Sequence, residues 1–236
     1  MKNLFTLMAI LFFSAGTEQA MAQCKTYFTN KAGSVLTYNM TDHKNKPSGT
    51  YKIEIVSANK NATEISAKTT FTPTKGQAFT SAPYAVKCKN GIMSMDVRGL
   101  VANTGGQQIE SDVTASFVEF PATMKAGQSL PDAETTVKSK MNGAAMGDMN
   151  IKISERKVVS IGSVTVPAGT FNAIQISSVQ DLKMKVAGIS IPGSKIIVNE
   201  WFVLGVGMVK QESEIKGGMM GRLAGGKSKM ELATIQ

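Results

Sequence analysis

Apolar and polar residues alternate along several stretches of the chain, which is the pattern of a β-strand with one buried face. The clearest stretches are residues 51–55, 65–71 and 182–186, where mostly apolar side chains take every second position. Lysine, glutamate, serine and threonine fill most of the positions between them. One apolar and one polar face are typical of an antiparallel sheet that buries a single side. The pattern therefore predicts an all-β fold.

Asn90-Gly91 predicts the best-defined hairpin, because this dipeptide favours the two-residue turn that joins antiparallel strands. Folding the chain there places six apolar residues on one face, in the pairs Cys88 with Met93, Val86 with Met95, and Tyr84 with Val97. The other face carries Lys87 opposite Ser94 and Ala85 opposite Asp96. Turn chemistry and hydrophobic pattern thus support the same register.

Four further segments complete the outline. Pro167-Ala168-Gly169 predicts a turn between two strands, and Asn142-Gly143 begins a connection rich in Gly, Ala and Met. Residues 196–204 are apolar on both faces, so we expect them to lie centrally or to be covered on both sides. Residues 98–108 lack strand character and are expected to form a short helix or a loop.

Residues 1–22 have the features of a secretory signal peptide. A basic start at Lys2 precedes an apolar run, and Ala20-Met21-Ala22 places cleavage between Ala22 and Gln23. A membrane anchor is the alternative, but polar residues 17–19 end the run before the roughly 20 apolar residues that span a bilayer. We expect residues 23–236 to form a single β-rich envelope domain, since all-β units often reach about 200–250 residues.

Cys24 and Cys88 are the two cysteines of the chain. Two thiols in an oxidising compartment usually pair, so a structural disulfide is predicted between them. A redox pair is disfavoured because it normally has the C-x-x-C spacing. Gln23, directly before Cys24, is bulkier than the small residue that lipoprotein processing uses. We therefore expect a periplasmic protein without a membrane span, with a lipid anchor on Cys24 as the alternative.

The formal net charge of +9 raises the possibility of an acidic partner. The lysines, however, are scattered singly along alternating segments, and few aromatic residues lie between them for stacking on bases. Nucleic acid is therefore not expected as a partner. Weak attraction to an anionic envelope surface fits the composition better.

The segment 221–228 matches the nucleotide-binding pattern G-x-x-x-x-G-K-[ST], with Lys227 and Ser228 at its end. That chemistry also requires a helix after the glycine-rich loop and a later strand with a magnesium ligand. Only eight residues follow Ser228, which is too short for both. We interpret the segment as a hairpin loop between the last two strands and expect no nucleotide cofactor.

Metal binding and catalysis are also disfavoured. His43 is the only histidine and lies among polar loop residues, so zinc has no ligand set. Met146 and Met149 could in principle bind copper(I), but methionine more often fills apolar gaps. Glu200 is the one unusual carboxylate, because it shares a strand face with apolar residues. A structural partner is the commoner explanation for such a residue, and we expect no catalytic residue and no enzyme activity.

Several motifs resemble a known family of bacterial envelope proteins. The resemblance is carried by Cys24 and Tyr27, residues 127–133 (GQSLPDA), residues 166–171 (VPAGTF), and residues 200–212 (EWFVLGVGMVKQE). These segments resemble the TapB-like proteins, which are related to the "domain of unknown function 3108" family. The resemblance implies a single antiparallel sheet curled into a spiral roll or a partly open barrel. It implies no catalytic residues.

The expected function is an exported, non-catalytic envelope protein that binds an apolar or amphipathic ligand in the concavity of a curved sheet. Inward-facing methionines that could line such a pocket are Met93, Met95, Met184 and Met208. Core packing is the alternative role for each of them. The alternative function is a structural or assembly partner of other envelope components. Trp201 is expected to be buried and to anchor the last strands.

Overall fold

The computed structural model describes residues 26–59, 63–81, 83–97, 109–113, 116–141, 144–218, 221 and 226–236. The predicted signal peptide, Gln23, Cys24, residues 98–108 and Asn142-Gly143 lie outside these ranges. Where it is described, the chain forms fourteen β-strands. The strands are β1 (Val35–Thr41), β2 (Pro47–Ala58), β3 (Glu64–Pro73), β4 (Phe79–Thr80), β5 (Tyr84–Lys89), β6 (Ile92–Asp96), β7 (Ile109–Val113), β8 (Phe117–Pro121), β9 (Ala133–Met141), β10 (Ala144–Val166), β11 (Gly169–Val186), β12 (Ile189–Val203), β13 (Gly207–Lys216) and β14 (Gly226–Ile235).

All the strands belong to one antiparallel sheet with the order β7-β9-β10-β11-β12-β13-β14-β1-β2-β3-β5-β6-β8, and β4 pairs with β3 beside this path. Most neighbours are consecutive in the chain and are joined as hairpins. The pairing of β14 with β1 brings the last strand beside the first. The predicted all-β class with a single antiparallel sheet is confirmed. Within the described residues, no helix is long and apolar enough to cross a bilayer.

The sheet curls until distant strands meet. Phe120 on β8 and Phe202 on β12 lie eight positions apart in the strand order, yet their ring centroids are 4.9 Å apart. The segment after β8 then hydrogen-bonds to β10: the Leu130 amide donates to the Arg156 carbonyl at 2.8 Å, and the Val158 amide donates to the Gln128 carbonyl at 2.9 Å. The sheet is therefore nearly closed into a barrel, as the predicted spiral roll or partly open barrel requires.

A hydrophobic core fills much of the concave side of the curled sheet. Tyr38, Val158, Val209 and Leu232 are completely buried, and they come from strands spread around the curl. Burial of this apolar surface is the main force that holds the sheet curled, since each strand alone would leave its apolar face in water. At the turn of the β11–β12 hairpin, in contrast, Val186 and Ile189 are exposed.

A bulge in β10 changes which residues face the core. The pairing with β11 shifts between Ser154 and Lys157, and Glu155 has a positive φ of 54°. Ile153 is buried before the bulge, and Arg156 and Val158 are buried after it. The bulge thus moves the inward face from odd to even positions and turns Arg156 inward.

The predicted Asn90-Gly91 hairpin is confirmed. Both residues have positive φ, and Cys88 pairs with Met93 and Val86 with Met95. All six residues predicted for the apolar face are buried. The alternation fails at Asp96, which it assigns to the polar face but which is completely buried. The regular strand ends at Asp96, so the alternation between faces no longer holds there.

The other predicted turns also occur, with one correction. Val166 pairs with Gly169, so Pro167 and Ala168 form the predicted turn between β10 and β11. β12 lies centrally between β11 and β13, as expected for a strand that is apolar on both faces. The prediction of a Gly/Ala/Met-rich connection after Asn142-Gly143 was wrong from Ala144 onward. These residues already pair with β9 as part of β10.

Candidate binding cavity

The concave side of the sheet contains a cavity of about 220 Å³. Its walls come mainly from β1, β2, β12 and β13 and from the chain before β1. The apolar part of the wall consists of Phe28, Leu36, Tyr38, Met40, Tyr51, Ile53, Tyr84, Met95, Phe202, Val206, Met208 and Met230. Met40, Tyr51 and Met208 keep part of their surface accessible to solvent. An apolar cavity with a few polar groups is the usual form of a small-molecule site.

Three polar side chains with amide or carboxyl groups line the cavity: Gln180 on β11, Glu200 on β12 and Gln211 on β13. Glu200 and Gln211 are direct partners in the pairing of β12 with β13. The Gln211 Nε2 donates a long hydrogen bond of 3.5 Å to the Glu200 Oε1. These residues place a polar group beside an otherwise apolar wall.

Burial raises the pKa of the Glu200 carboxyl from 4.5 to about 7, and the positive charge of Arg156 acts in the opposite direction. The net shift is upward because loss of water destabilises the carboxylate more than Arg156 stabilises it. Glu200 therefore changes its charge near neutral pH. The sequence had singled out Glu200 for sharing a face with apolar residues, and the cavity explains what that face meets.

Arg156 is 4% exposed and supports the cavity from behind. Its Nη1 donates to the Pro131 carbonyl at 2.7 Å, and its Nη2 donates to the Glu119 carbonyl at 3.1 Å. The guanidinium carbon lies 5.1 Å from the Phe120 ring centroid, within the range of a cation–π interaction. Burial lowers the pKa of Arg156, while Glu200 and two other carboxylates act against that shift. Arg156 thus joins β10 to β8 across the closure of the sheet.

Three tyrosines form one side of the cavity. The Tyr38 hydroxyl donates to the Met208 carbonyl at 2.7 Å, and its ring lies edge-on to Tyr51 with centroids 6.3 Å apart. Burial raises the pKa of Tyr38, Tyr51 and Tyr84, so all three stay neutral at physiological pH. Sequence reasoning missed this cluster and also missed Arg156. The apolar residues of this segment change from odd positions (Ile153) to even positions (Val158), and this was the one signal in the sequence that could have indicated the bulge at Arg156.

The four methionines predicted to line a pocket lie in three different parts of the structure. Met95 and Met208 line the cavity. Met93 is buried in the core, which agrees with the alternative role considered for it. Met184 lies on β11 near the β11–β12 turn and does not line the cavity. Two of the four methionines thus line the cavity.

Trp201 does not occupy the deep core position expected for it. It is partly buried and packs at the margin of the core. It lies next to Glu200 and Phe202, which both line the cavity, so the alternation of the strand directs the Trp201 ring to the opposite, outer face. The Lys210 ammonium lies 4.8 Å from the ring centroid. Trp201 is therefore less buried than expected, although it still packs against the core.

Cys88 is buried on the inner face, as the hairpin predicts. Cys24 and the Ala22–Gln23 cleavage site lie outside the described residues, so the disulfide and the cleavage remain predictions. His43 is exposed in the turn between β1 and β2. Within the described part of the chain, no group of three or more His, Cys, Asp or Glu side chains could hold a metal ion.

The described end of the nucleotide-binding pattern is a β-strand and not the start of a helix. Lys227 and Ser228 belong to β14 and pair with Glu214 and Ser213 on β13. The hydroxyl groups of Ser213 and Ser228 are 2.7 Å apart and hydrogen-bond to each other. A lysine and a serine in an antiparallel strand cannot stand at the amino terminus of a helix, which phosphate binding in this motif needs. The predicted pairing of the last two strands occurs, but residues 226–228 belong to β14, so the prediction of a loop was wrong for these three residues.

Fold and cavity define the class: a single-sheet, nearly closed β-roll with an apolar interior cavity. The chain belongs to the DUF3108-like family, whose sequence model matches residues 31–223. This agrees with the family resemblance seen in the sequence. No curated protein matches the chain.

Two solved structures share the fold. One is described as an exported protein with a YmcC-like fold from Bacteroides fragilis; it is 18% identical, the match covers 90% of this chain and 100% of that chain, and the TM-score is 0.66. The other is described as a lipoprotein from Parabacteroides distasonis, with 17% identity, coverage of 90% and 99%, and a TM-score of 0.69. At these identities the likeness establishes the fold alone.

Proposed function

We propose that this chain is an exported, non-catalytic envelope protein that binds an apolar or amphipathic small molecule in the cavity of the β-roll. The observation that carries the proposal is the cavity of about 220 Å³, with aromatic and methionine walls and the polar side chains of Thr29, Gln180, Glu200 and Gln211. Apolar walls supply affinity, and a few polar groups fix the orientation of a ligand. The predicted signal peptide supports export, and the periplasm is the proposed compartment.

Native mass spectrometry of the protein, gently extracted from the producing cell, tests the proposal. We expect a retained small molecule in the wild type. Met40→Trp should abolish retention, because Met40 lines the cavity and a larger ring there would fill it. Val56→Trp is the matched control, since Val56 is exposed on β2 and should tolerate the ring. An unliganded wild type that also binds none of the apolar probes described below would contradict the proposal.

A second candidate function is supported by the β11–β12 tip, which comprises residues 183–191. Ile189 is 72% exposed there, and Val186 beside it is exposed as well. Exposed apolar side chains at a hairpin turn suit contact with another protein, so a structural or assembly partner in the envelope is the alternative. Photo-crosslinking from position 189 in the producing cell should then capture one protein. Crosslinking from position 159, an exposed valine on β10, should not capture it.

A further inference from the structure

We propose that the cavity selects a small cationic amphiphile, an amine or ammonium group with a short apolar tail, whose positive head contacts the Glu200 carboxylate. This inference rests on the proposed ligand-binding function and names the chemical class of the ligand. It follows from the charge in the cavity, the contacts of Arg156 and the aromatic wall.

Glu200 is the one charged residue among the described residues that line the cavity. A carboxylate in apolar surroundings is costly unless a positive or hydrogen-bond-donating group compensates it. Gln211 provides one long contact at 3.5 Å. A carboxylate can accept several hydrogen bonds, so Glu200 keeps capacity for a ligand. A ligand head that carries positive charge compensates Glu200 better than a neutral one, because charge-assisted hydrogen bonds are the stronger kind.

Arg156 does not fill this role at the cavity wall. It does not line the cavity, and within the described residues its guanidinium donates to the carbonyls of Pro131 and Glu119. Its charge reaches Glu200 through space and favours the ionised form. The Arg156 guanidinium therefore favours the ionised form of Glu200 without occupying the cavity in front of the carboxylate.

The aromatic wall also favours a cation. Phe28, Tyr38, Tyr51, Tyr84 and Phe202 all line the cavity. Aromatic ring faces carry partial negative charge and attract ammonium groups, most strongly where water is excluded. The tyrosines stay neutral because burial raises their pKa. An anionic ligand would meet the Glu200 carboxylate and would be repelled.

Isothermal titration calorimetry with three probes of equal tail length tests the inference: hexylamine, 1-hexanol and hexanoate. We expect hexylamine to bind about tenfold more tightly than 1-hexanol, as one charge-assisted contact would give. Glu200→Gln should remove this preference, so that hexylamine binds no more tightly to the variant than 1-hexanol does. Glu214→Gln is the matched control, because Glu214 on β13 does not line the cavity and should not alter the preference.

The pH dependence of the wild type provides a measurement that needs no variant. Among the described titratable groups, Arg156 from β10 acts on the charge of Glu200. Tyr38 from β1, Tyr51 from β2 and Tyr84 from β5 line the same cavity and stay neutral. The amine stays protonated through the neutral range, so hexylamine affinity should rise with pH as Glu200 ionises, and 1-hexanol affinity should not. If 1-hexanol or hexanoate binds as tightly as hexylamine, the inference fails and the proposed function stands. If no probe binds and no ligand is retained, both fail.

Discussion

The cavity end of the sheet and the β11–β12 tip both carry apolar residues on their strands, but these residues are buried at the cavity end and exposed at the tip. At the cavity end, the apolar face of β12 meets β8, where Phe202 contacts Phe120. At the tip, the apolar residues Val186 and Ile189 pair with each other across the hairpin and remain exposed. Alternation thus predicts that a segment is a strand, while the curl of the sheet decides which part of the strand is buried.

The largest expected effect tests the closed end. Phe120 is 2% exposed and contacts both Phe202 and the Arg156 guanidinium. Phe120→Ala should lower the free energy of unfolding by about 3–5 kcal/mol, because it leaves a cavity where distant strands meet. Ile189→Ala at the tip is the control and should change it by less than about 0.5 kcal/mol. Urea unfolding measures both; equal losses would show that the two regions do not differ as described.

Arg156 is expected to have the next largest effect. Arg156→Met keeps much of the apolar stem but removes the donors to the Pro131 and Glu119 carbonyls. We expect a loss of about 2–4 kcal/mol in the free energy of unfolding, because two part-buried hydrogen bonds from a charged donor are lost. Loss of the positive charge should also raise the pKa of Glu200 further, which carbon-13 NMR of the carboxyl group can follow. Lys157→Met, at an exposed neighbouring position, is the control and should change neither quantity.

Glu200 should make stability depend on pH at the cavity end. Its pKa is 4.5 ordinarily and about 7 in the fold, so the folded protein holds a proton that the unfolded chain releases between these values. The free energy of unfolding should therefore fall by about 1–3 kcal/mol as pH rises through this window. Below this pH window Glu200 is protonated in both the folded and the unfolded state. Above it Glu200 is ionised in both states, and the folded protein bears the full free-energy cost of a buried carboxylate. Glu200→Gln should flatten this part of the curve; an unchanged slope in the variant would assign the pH dependence to other groups.

Much of the fold could be predicted from local patterns, whereas the site depends on contacts between distant strands. The Asn90-Gly91 register followed from turn chemistry and alternation alone. Glu200 was noticed because its neighbours on the same face are apolar. The position of Arg156 depends on a bulge and on the carbonyls of Glu119 and Pro131, far away in sequence. The shift of alternation between Ile153 and Val158 indicates the bulge, but no pattern within one segment identifies the carbonyls that Arg156 reaches. The support of the cavity therefore could not be predicted.

Trp201 carries the smallest expected effect and tests the outer surface of the same strand. Its ring is partly buried, with the Lys210 ammonium 4.8 Å from the ring centroid. Trp201→Ala should therefore cost about 1–2 kcal/mol, less than the full truncation of a buried ring, since part of the ring already contacts water. Trp201→Ala thus tests the stability contribution, and fluorescence tests the exposure of the ring.

Trp201 is the only tryptophan of the chain, so tryptophan fluorescence reports this position directly. We expect an emission maximum between those of fully buried and fully exposed tryptophan, and partial quenching by a small neutral quencher such as acrylamide. Hexylamine should not alter the quenching, because Trp201 does not line the cavity. Complete protection from acrylamide would place the ring in the core after all.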